Sequence, residues 1–137
     1  MEYLSLNDWI TSSGKYPDRA KSEDLTDEVK SNACKLIVQV NAFLSELSWE
    51  GSVKVSSGFR PTAVNSTIKH AAKRSLHITG LAIDIADPDG TLDETIKAKP
   101  ELLEKFGLWL ESPDHTPGWT HLDLGTRSAR AIRIFLP

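Results

Sequence analysis

Asp84 sits between Ile83 and Ile85 in the apolar run Leu81–Ala86, where a carboxylate is out of place. In such a run it is expected to be at least half buried. Burying a charge without a partner is costly, so a cation, a metal or several donors must meet it. His77 lies seven residues earlier, after Ser75 and ahead of Gly80, and His121 stands in an alternating segment near the C-terminus. Two imidazoles and one carboxylate are a recurring ligand set for catalytic zinc, with the fourth position left to water. Such a water ionises near neutral pH (pKa ~7) and can attack a carbonyl carbon. Spacing alone leaves the matter open. Four histidines and nineteen acids permit many accidental triples, and a surface or core histidine is commoner.

The elements that must position these side chains can be read from the apolar pattern. Thr26, followed by Asp27 and Glu28, is an N-cap signal. Val29, Ala33, Leu36, Ile37, Val40, Phe43, Leu44 and Leu47 then recur at helical spacing and predict one core-facing helix. Val53–Ser57 alternates like a strand ending at Gly58, and 61–74 reads as a loop with a short helix. Leu81–Ala86 alternates again, its large aliphatics on one face and Ala82 and Asp84 on the other. Thr91-Leu92-Asp93-Glu94 is a capping-box pattern opening a helix, Pro100 restarts it and Gly107 ends it. Trp119–Leu124 predicts a strand with Trp119, His121 and Asp123 on one face, and Arg130–Leu136 a closing strand. Residues 11–24 read as an exposed connection. Segregated helices and strands with short connections imply an α+β fold, a small single domain over 1–137 with a mostly antiparallel sheet flanked by helices.

Composition narrows the function classes. A chain of 137 residues, 39% hydrophobic and 26% charged, is globular and long enough for a core without disulfides. Its net charge of -3 recommends neither nucleic acid nor an anionic membrane surface. Cys34 is alone, which excludes a disulfide framework and a cysteine metal site, and is expected to be buried. The N-terminal residues have no basic start and no long apolar stretch, so the expectation is synthesis in the cytoplasm without a signal peptide. His70, among Lys69, Lys73 and Arg74, is expected on a solvated helix face. Asp87-Pro88-Asp89-Gly90 has turn chemistry and falls short of a calcium loop. Trp109 and Trp119 are expected in the core, with a substrate groove as the alternative.

Ser75-Leu76-His77-Ile78-Thr79-Gly80-Leu81-Ala82-Ile83-Asp84 has the form S-x-H-x-x-G-x-A-x-D. It resembles the signature of the M15 family of zinc peptidases, the D-Ala-D-Ala carboxypeptidases and phage endolysin-type peptidases. Ser57-Gly58-Phe59-Arg60-Pro61 resembles that family's S-G-[FY]-R segment, and Trp119-Thr120-His121-Leu122-Asp123 its second ligand strand. The resemblance spans roughly residues 53–125 and implies a fold shared with DD-peptidases and Hedgehog-type signalling proteins. It makes His77, Asp84 and His121 the ligands of Zn2+. Arg60 becomes the substrate-binding and oxyanion-stabilising cation. Ser75 becomes a residue that bonds either substrate or its own loop, and Gly80 and Ala82 are small where the backbone nears the metal.

One position departs from the family pattern. Many members carry an acid three residues before the last histidine, as general base; here that residue is Gly118. Asp114 and Asp123 are the replacement candidates, with Glu111 and His115 as further residues of a loop able to fold over the site. Asp123 has the alternative role of holding His121 in one tautomer. The resemblance implies a monomeric peptidase cutting peptidoglycan stem peptides, at a D-Ala-D-Ala carboxypeptidase or an L-Ala-D-Glu-type endopeptidase bond. By analogy it is phage or prophage encoded, acting at the cell wall after holin release or from a virion. The alternatives are a non-catalytic zinc domain and a structural phage protein in which the metal braces the fold.

Overall fold

Thr26 does start the longest helix: its side chain accepts from the Val29 amide at 3.2 Å, and helix α2 runs Asp27–Glu46. The computed structural model describes residues 2–68 and 75–137, so the expectations for His70, Lys69, Lys73 and Arg74 lie outside the described residues. Ahead of α2, helix α1 (Leu6–Thr11) is held by a capping box between Ser5 and Asp8. Asn41 in the middle of α2 ties that helix to the segment just ahead of α1. Its Oδ1 accepts from the Tyr3 and Leu4 amides, and its Nδ2 donates to the Leu4 carbonyl. Residues 11–24 are not all exposed. Thr11 and Ser12 are buried, and a 3-10 turn covers Pro17–Lys21.

Among the described residues the sheet has five strands, β1 (Val55–Ser57), β2 (Ala82–Ala86), β3 (Trp109–Glu111), β4 (Trp119–Asp123) and β5 (Ile134–Phe135). Their order is β1-β2-β4-β3-β5. All pairs are antiparallel except β3 with β5. The predicted closing strand therefore shrinks to Ile134–Phe135 and runs parallel to β3, because the segment after β4 crosses back to the outer edge before pairing. The sheet is mostly antiparallel and the fold α+β, as the pattern implies.

Period-two alternation decides which sheet face meets the helices. Ile83, Ile85, Leu110 and Leu122 join Leu36, Val40, Phe43 and Leu44 of α2 in one core. The opposite sheet face carries Asp84, His121 and Asp123. The Trp9 indole crosses the core to donate to the Ala82 carbonyl at 2.9 Å, which meets the polar requirement of a fully buried tryptophan. Cys34 is exposed rather than buried. Ala33, Leu36, Ile37 and Val40 take the inward face of α2, and the residue after Ala33 is turned about 100° away.

Short helices fill the connections: α3 (Thr62–Asn65), α4 (Leu76–Thr79), α5 (Thr91–Ala98) and α6 (Glu101–Lys105). The capping box predicted at Thr91 does not form. Thr91 is already helical, and the Asp87 carboxylate caps α5 instead, accepting from the Leu92 and Asp93 amides at 3.0 Å each. Pro100 does open a separate helix, α6, after Lys99 breaks the chain out of α5. Among the described residues no helix is long and apolar enough to cross a membrane.

Candidate metal centre

Asp84 and His121 face each other directly across the β2–β4 pair, so their side chains rise from the same sheet face. His77 arrives from α4, whose first turn is fixed by the Ser75 hydroxyl accepting from the His77 amide at 3.2 Å. Ser75 is buried and used on this cap, so the loop contact is the one present. Gly80 ends α4 in the left-handed region (φ +89°) and lies against α2, where a Cβ would drive into the Val29 carbonyl. Its smallness thus serves the seat of α4 on α2 rather than an approach to the metal site. The Asn32 side chain adds a bond to the Thr79 carbonyl at 3.0 Å.

The three side chains converge. His77 Nε2 is 3.2 Å from Asp84 Oδ2, and His121 Nδ1 is 2.7 Å from Asp84 Oδ1. One donor atom from each lies within 4.8 Å of the others. The edge of a tetrahedral zinc site with ligands at 2.0–2.1 Å is about 3.3 Å, so the spacing suits that ion.

The outer hydrogen bonds say which nitrogen each imidazole offers. His77 Nδ1 is 2.8 Å from the Gly58 carbonyl, which can only accept, so Nδ1 carries the proton and Nε2 faces the cluster. His121 Nε2 is 2.8 Å from Asp123 Oδ2, which leaves Nδ1 facing Asp84. Both histidines are thus oriented from behind by acceptors, the usual arrangement around a metal. The donor set fits zinc.

Without a cation the cluster must hold protons. Burial lowers the basicity of His121, but the Asp123 and Asp84 carboxylates outweigh it and push its pKa up to about 9. Burial alone would raise the Asp84 pKa; the charges and hydrogen bonds of His77 and His121 instead hold it well below the usual carboxylate range.

The other predicted residues are placed as follows. Arg60 is 14% exposed, and its guanidinium is anchored by Ser57 Oγ (3.0 Å) and Asn65 Oδ1 (3.4 Å), with Nη2 at 3.5 Å from Asp84 Oδ2. Its amide also donates to the His77 carbonyl at 3.2 Å. Asp123 is 1% exposed and fully engaged, accepting from His121 Nε2, the Gly125 amide and both terminal nitrogens of Arg127 at 2.6 and 3.1 Å. A carboxylate has about four acceptor sites, so Asp123 orients His121 and has none to spare. Asp114 and His115 are exposed on the 3-10 turn Pro113–His115. Glu111 is not a loop residue: it ends β3. Burial raises its pKa, with His121 opposing and Asp84 reinforcing the shift.

Arg127 is the residue that sequence reasoning missed. Besides clamping Asp123 it lies over the Phe135 ring, 3.6 Å from the centroid, and Phe135 in turn is 5.9 Å from the His121 ring. Its position four residues after Asp123 was the available signal, although that spacing has meaning only once the chain after β4 is known to turn back. Trp109 is buried beneath Arg127, Arg130 and Arg133, so it packs rather than lines a groove. Gly118 adopts φ +92°, and its carbonyl accepts from the Asp87 amide. An acid there would be strained, which explains why this turn cannot carry one cheaply.

A family model described as Peptidase M15 matches residues 12–123. No curated protein and no solved structure matches the chain.

Proposed function

The chain belongs to the Peptidase M15 family, and on that premise we propose that it is a zinc-dependent peptidase hydrolysing peptide bonds of bacterial peptidoglycan. One observation supports the zinc reading above the rest. Nε2 of His77, Nδ1 of His121 and the Asp84 carboxylate converge while the far side of each imidazole is committed to an acceptor. Zinc held there supplies Lewis-acid polarisation of a carbonyl and of a water molecule.

The protein's own residues do the rest. Arg60, braced by Ser57 and Asn65 at the β1 side of the cluster, offers a fixed cation where negative charge develops on the scissile carbonyl oxygen. Asp123 and Arg127 keep His121 in one tautomer, so its donor nitrogen needs no reorganisation. The substrate is a peptidoglycan stem peptide. The bond is D-Ala-D-Ala, cut as a carboxypeptidase, or L-Ala-D-Glu, cut as an endopeptidase, and the site of action is the bacterial cell wall. A phage or prophage origin accords with that family reading.

A second reading has its own observation. The turn at Gly118, which glycine takes up at φ +92° without strain, has no acid, as in a zinc domain that has lost hydrolysis. Digestion of purified muropeptides by the zinc-loaded protein, with products weighed by mass spectrometry, separates the two. New termini at one of the two bonds, lost on chelation and in His121→Ala, support the peptidase. Intact muropeptides beside a zinc-loaded protein support the non-catalytic domain.

A further inference from the structure

A peptidase built on this cluster needs a group to take the proton of the attacking water, and Gly118 offers no side chain for it. The sheet register supplies one. Trp109 pairs with Asp123 and Leu110 with Leu122, so the next step of the same antiparallel ladder sets Glu111 beside His121. On the far side Glu111 pairs with Phe135. Asp84, His121, Glu111 and Phe135 therefore form one row across neighbouring strands, about 4.8 Å apart from strand to strand.

The face is fixed independently of the register. Leu110 lies in the core, so its neighbours Trp109 and Glu111 take the opposite face. Phe135 reaches His121 ring to ring on that same face. Trp109 meets Arg127, which holds Asp123 there. Glu111 is half-buried and within electrostatic reach of His121, Asp84, His115 and Asp123. The rival acids are placed otherwise. Asp84 is committed to the two histidines, Asp123 has its acceptor sites filled, and Asp114 is exposed on the following turn.

We propose that Glu111 is the general base, receiving a proton from the water that attacks the scissile carbonyl. This deepens the peptidase reading and rests on it. The water oxygen forms a bond to the carbonyl carbon as one of its protons passes to the Glu111 carboxylate. The carbonyl π electrons move to oxygen, where Arg60 meets the charge. When the carbon–nitrogen bond breaks, Glu111 returns the proton to the departing amine. Arg60 from the β1 side and Glu111 from the β3 side thus flank the Asp84–His121 pair, one for charge and one for the proton.

The test compares zinc-loaded wild type, Glu111→Gln, Glu111→Asp and Asp114→Asn on muropeptides bearing the two candidate bonds. Metal content, the zinc-induced rise in Tm and the pH profile of kcat/KM are measured alongside. Glu111→Gln is expected to keep about one zinc per chain and the wild-type Tm rise, while kcat falls about 10²–10⁴-fold with KM little changed. It also loses the acid limb of the pH profile, and Glu111→Asp recovers part of the rate. A Glu111→Gln protein within about fivefold of wild-type kcat overturns the inference, as does one that no longer binds zinc. Loss of kcat in Asp114→Asn but not in Glu111→Gln moves the role to Asp114. A zinc-loaded wild type that cleaves neither substrate overturns the peptidase reading and this inference together. An active wild type matched by an active Glu111→Gln overturns the inference alone.

Discussion

Replacing Arg127 with Met keeps an unbranched side chain of similar reach but deletes the two hydrogen bonds to Asp123 and the guanidinium that lies over the Phe135 ring. Breaking a buried ion pair from one side costs about 3–5 kcal/mol. Two features reduce that here. The Arg127 side chain is 21% exposed, so water screens part of the pair, and Asp123 keeps the Gly125 amide and His121 as donors. The expected loss is therefore about 2 kcal/mol. At roughly 3–5 °C per kcal/mol for a domain of this size, Tm falls by about 6–10 °C. Because Arg127 acts on His121 only through Asp123, zinc affinity should weaken as well, by about 10-fold, the low end of the effect of losing a ligand's own partner. Calorimetry of the metal-free protein gives the first quantity and competition with a chromophoric chelator the second. A double-mutant cycle with Asp123→Asn should return a coupling energy well above about 0.5 kcal/mol. If Arg127→Met leaves Tm within about 2 °C and zinc affinity within about twofold, the relay from Arg127 through Asp123 to His121 does not exist as a working unit.

The raised pKa of His121, about 9 against an ordinary 6.5, gives the metal-free protein stability that is full below 6.5 and lost as pH rises toward 9. The depressed Asp84 contributes stability above its ordinary value of 3.8 that is lost on acidification. Melting of the metal-free protein should therefore be highest between those limits, and a Tm still climbing toward pH 9 contradicts this. Zinc must displace the His121 Nδ1 proton, so titration calorimetry in buffers of different ionisation enthalpy should show about one proton released per zinc near pH 7.5. Asp93 behaves in the opposite sense to Asp84. Burial and the neighbouring Asp87 raise its pKa to about 6 against the opposing Thr120 bond, so the fold loses stability as pH rises from 3.8 to about 6. Asp93→Asn should then melt higher than wild type at pH 8, with the gap closing near pH 4; an equal gap at both pH values would falsify the assignment. Gly80→Ala should cost about 2–4 kcal/mol in urea unfolding, from a left-handed backbone and a Cβ driven into the Val29 carbonyl. An unchanged midpoint would mean that α4 is not seated on α2 as described.

The strands that carry the site were legible because alternation is a strong signal. Asp84 between two buried isoleucines and His121 beside Leu122 each announce which face they take. The S-x-H-x-x-G-x-A-x-D segment brought His77 into the set, which spacing alone left open. What the sequence pattern does not carry depends on long-range geometry. Asn41 reads as one polar residue on a helix, and its grip on the chain at Tyr3 and Leu4 exists only after folding. Asp87 looked like a turn residue and proved also to be the cap of α5, since the turn brings its carboxylate over the first amides of the helix. Glu111 reads as part of the loop that follows it, because a three-residue strand is too short to show a period. Residue type alone points Cys34 to the core, and helical phase turns it to solvent.

Anomalous diffraction at the zinc edge from a crystal of the zinc-loaded protein tests the central claim most directly. The expected map has one strong peak about 2.0–2.2 Å from His77 Nε2, His121 Nδ1 and an Asp84 oxygen, with Asp123 still on His121 Nε2. A peak elsewhere on the protein, with these three side chains unmoved and bonded only to one another, contradicts the account.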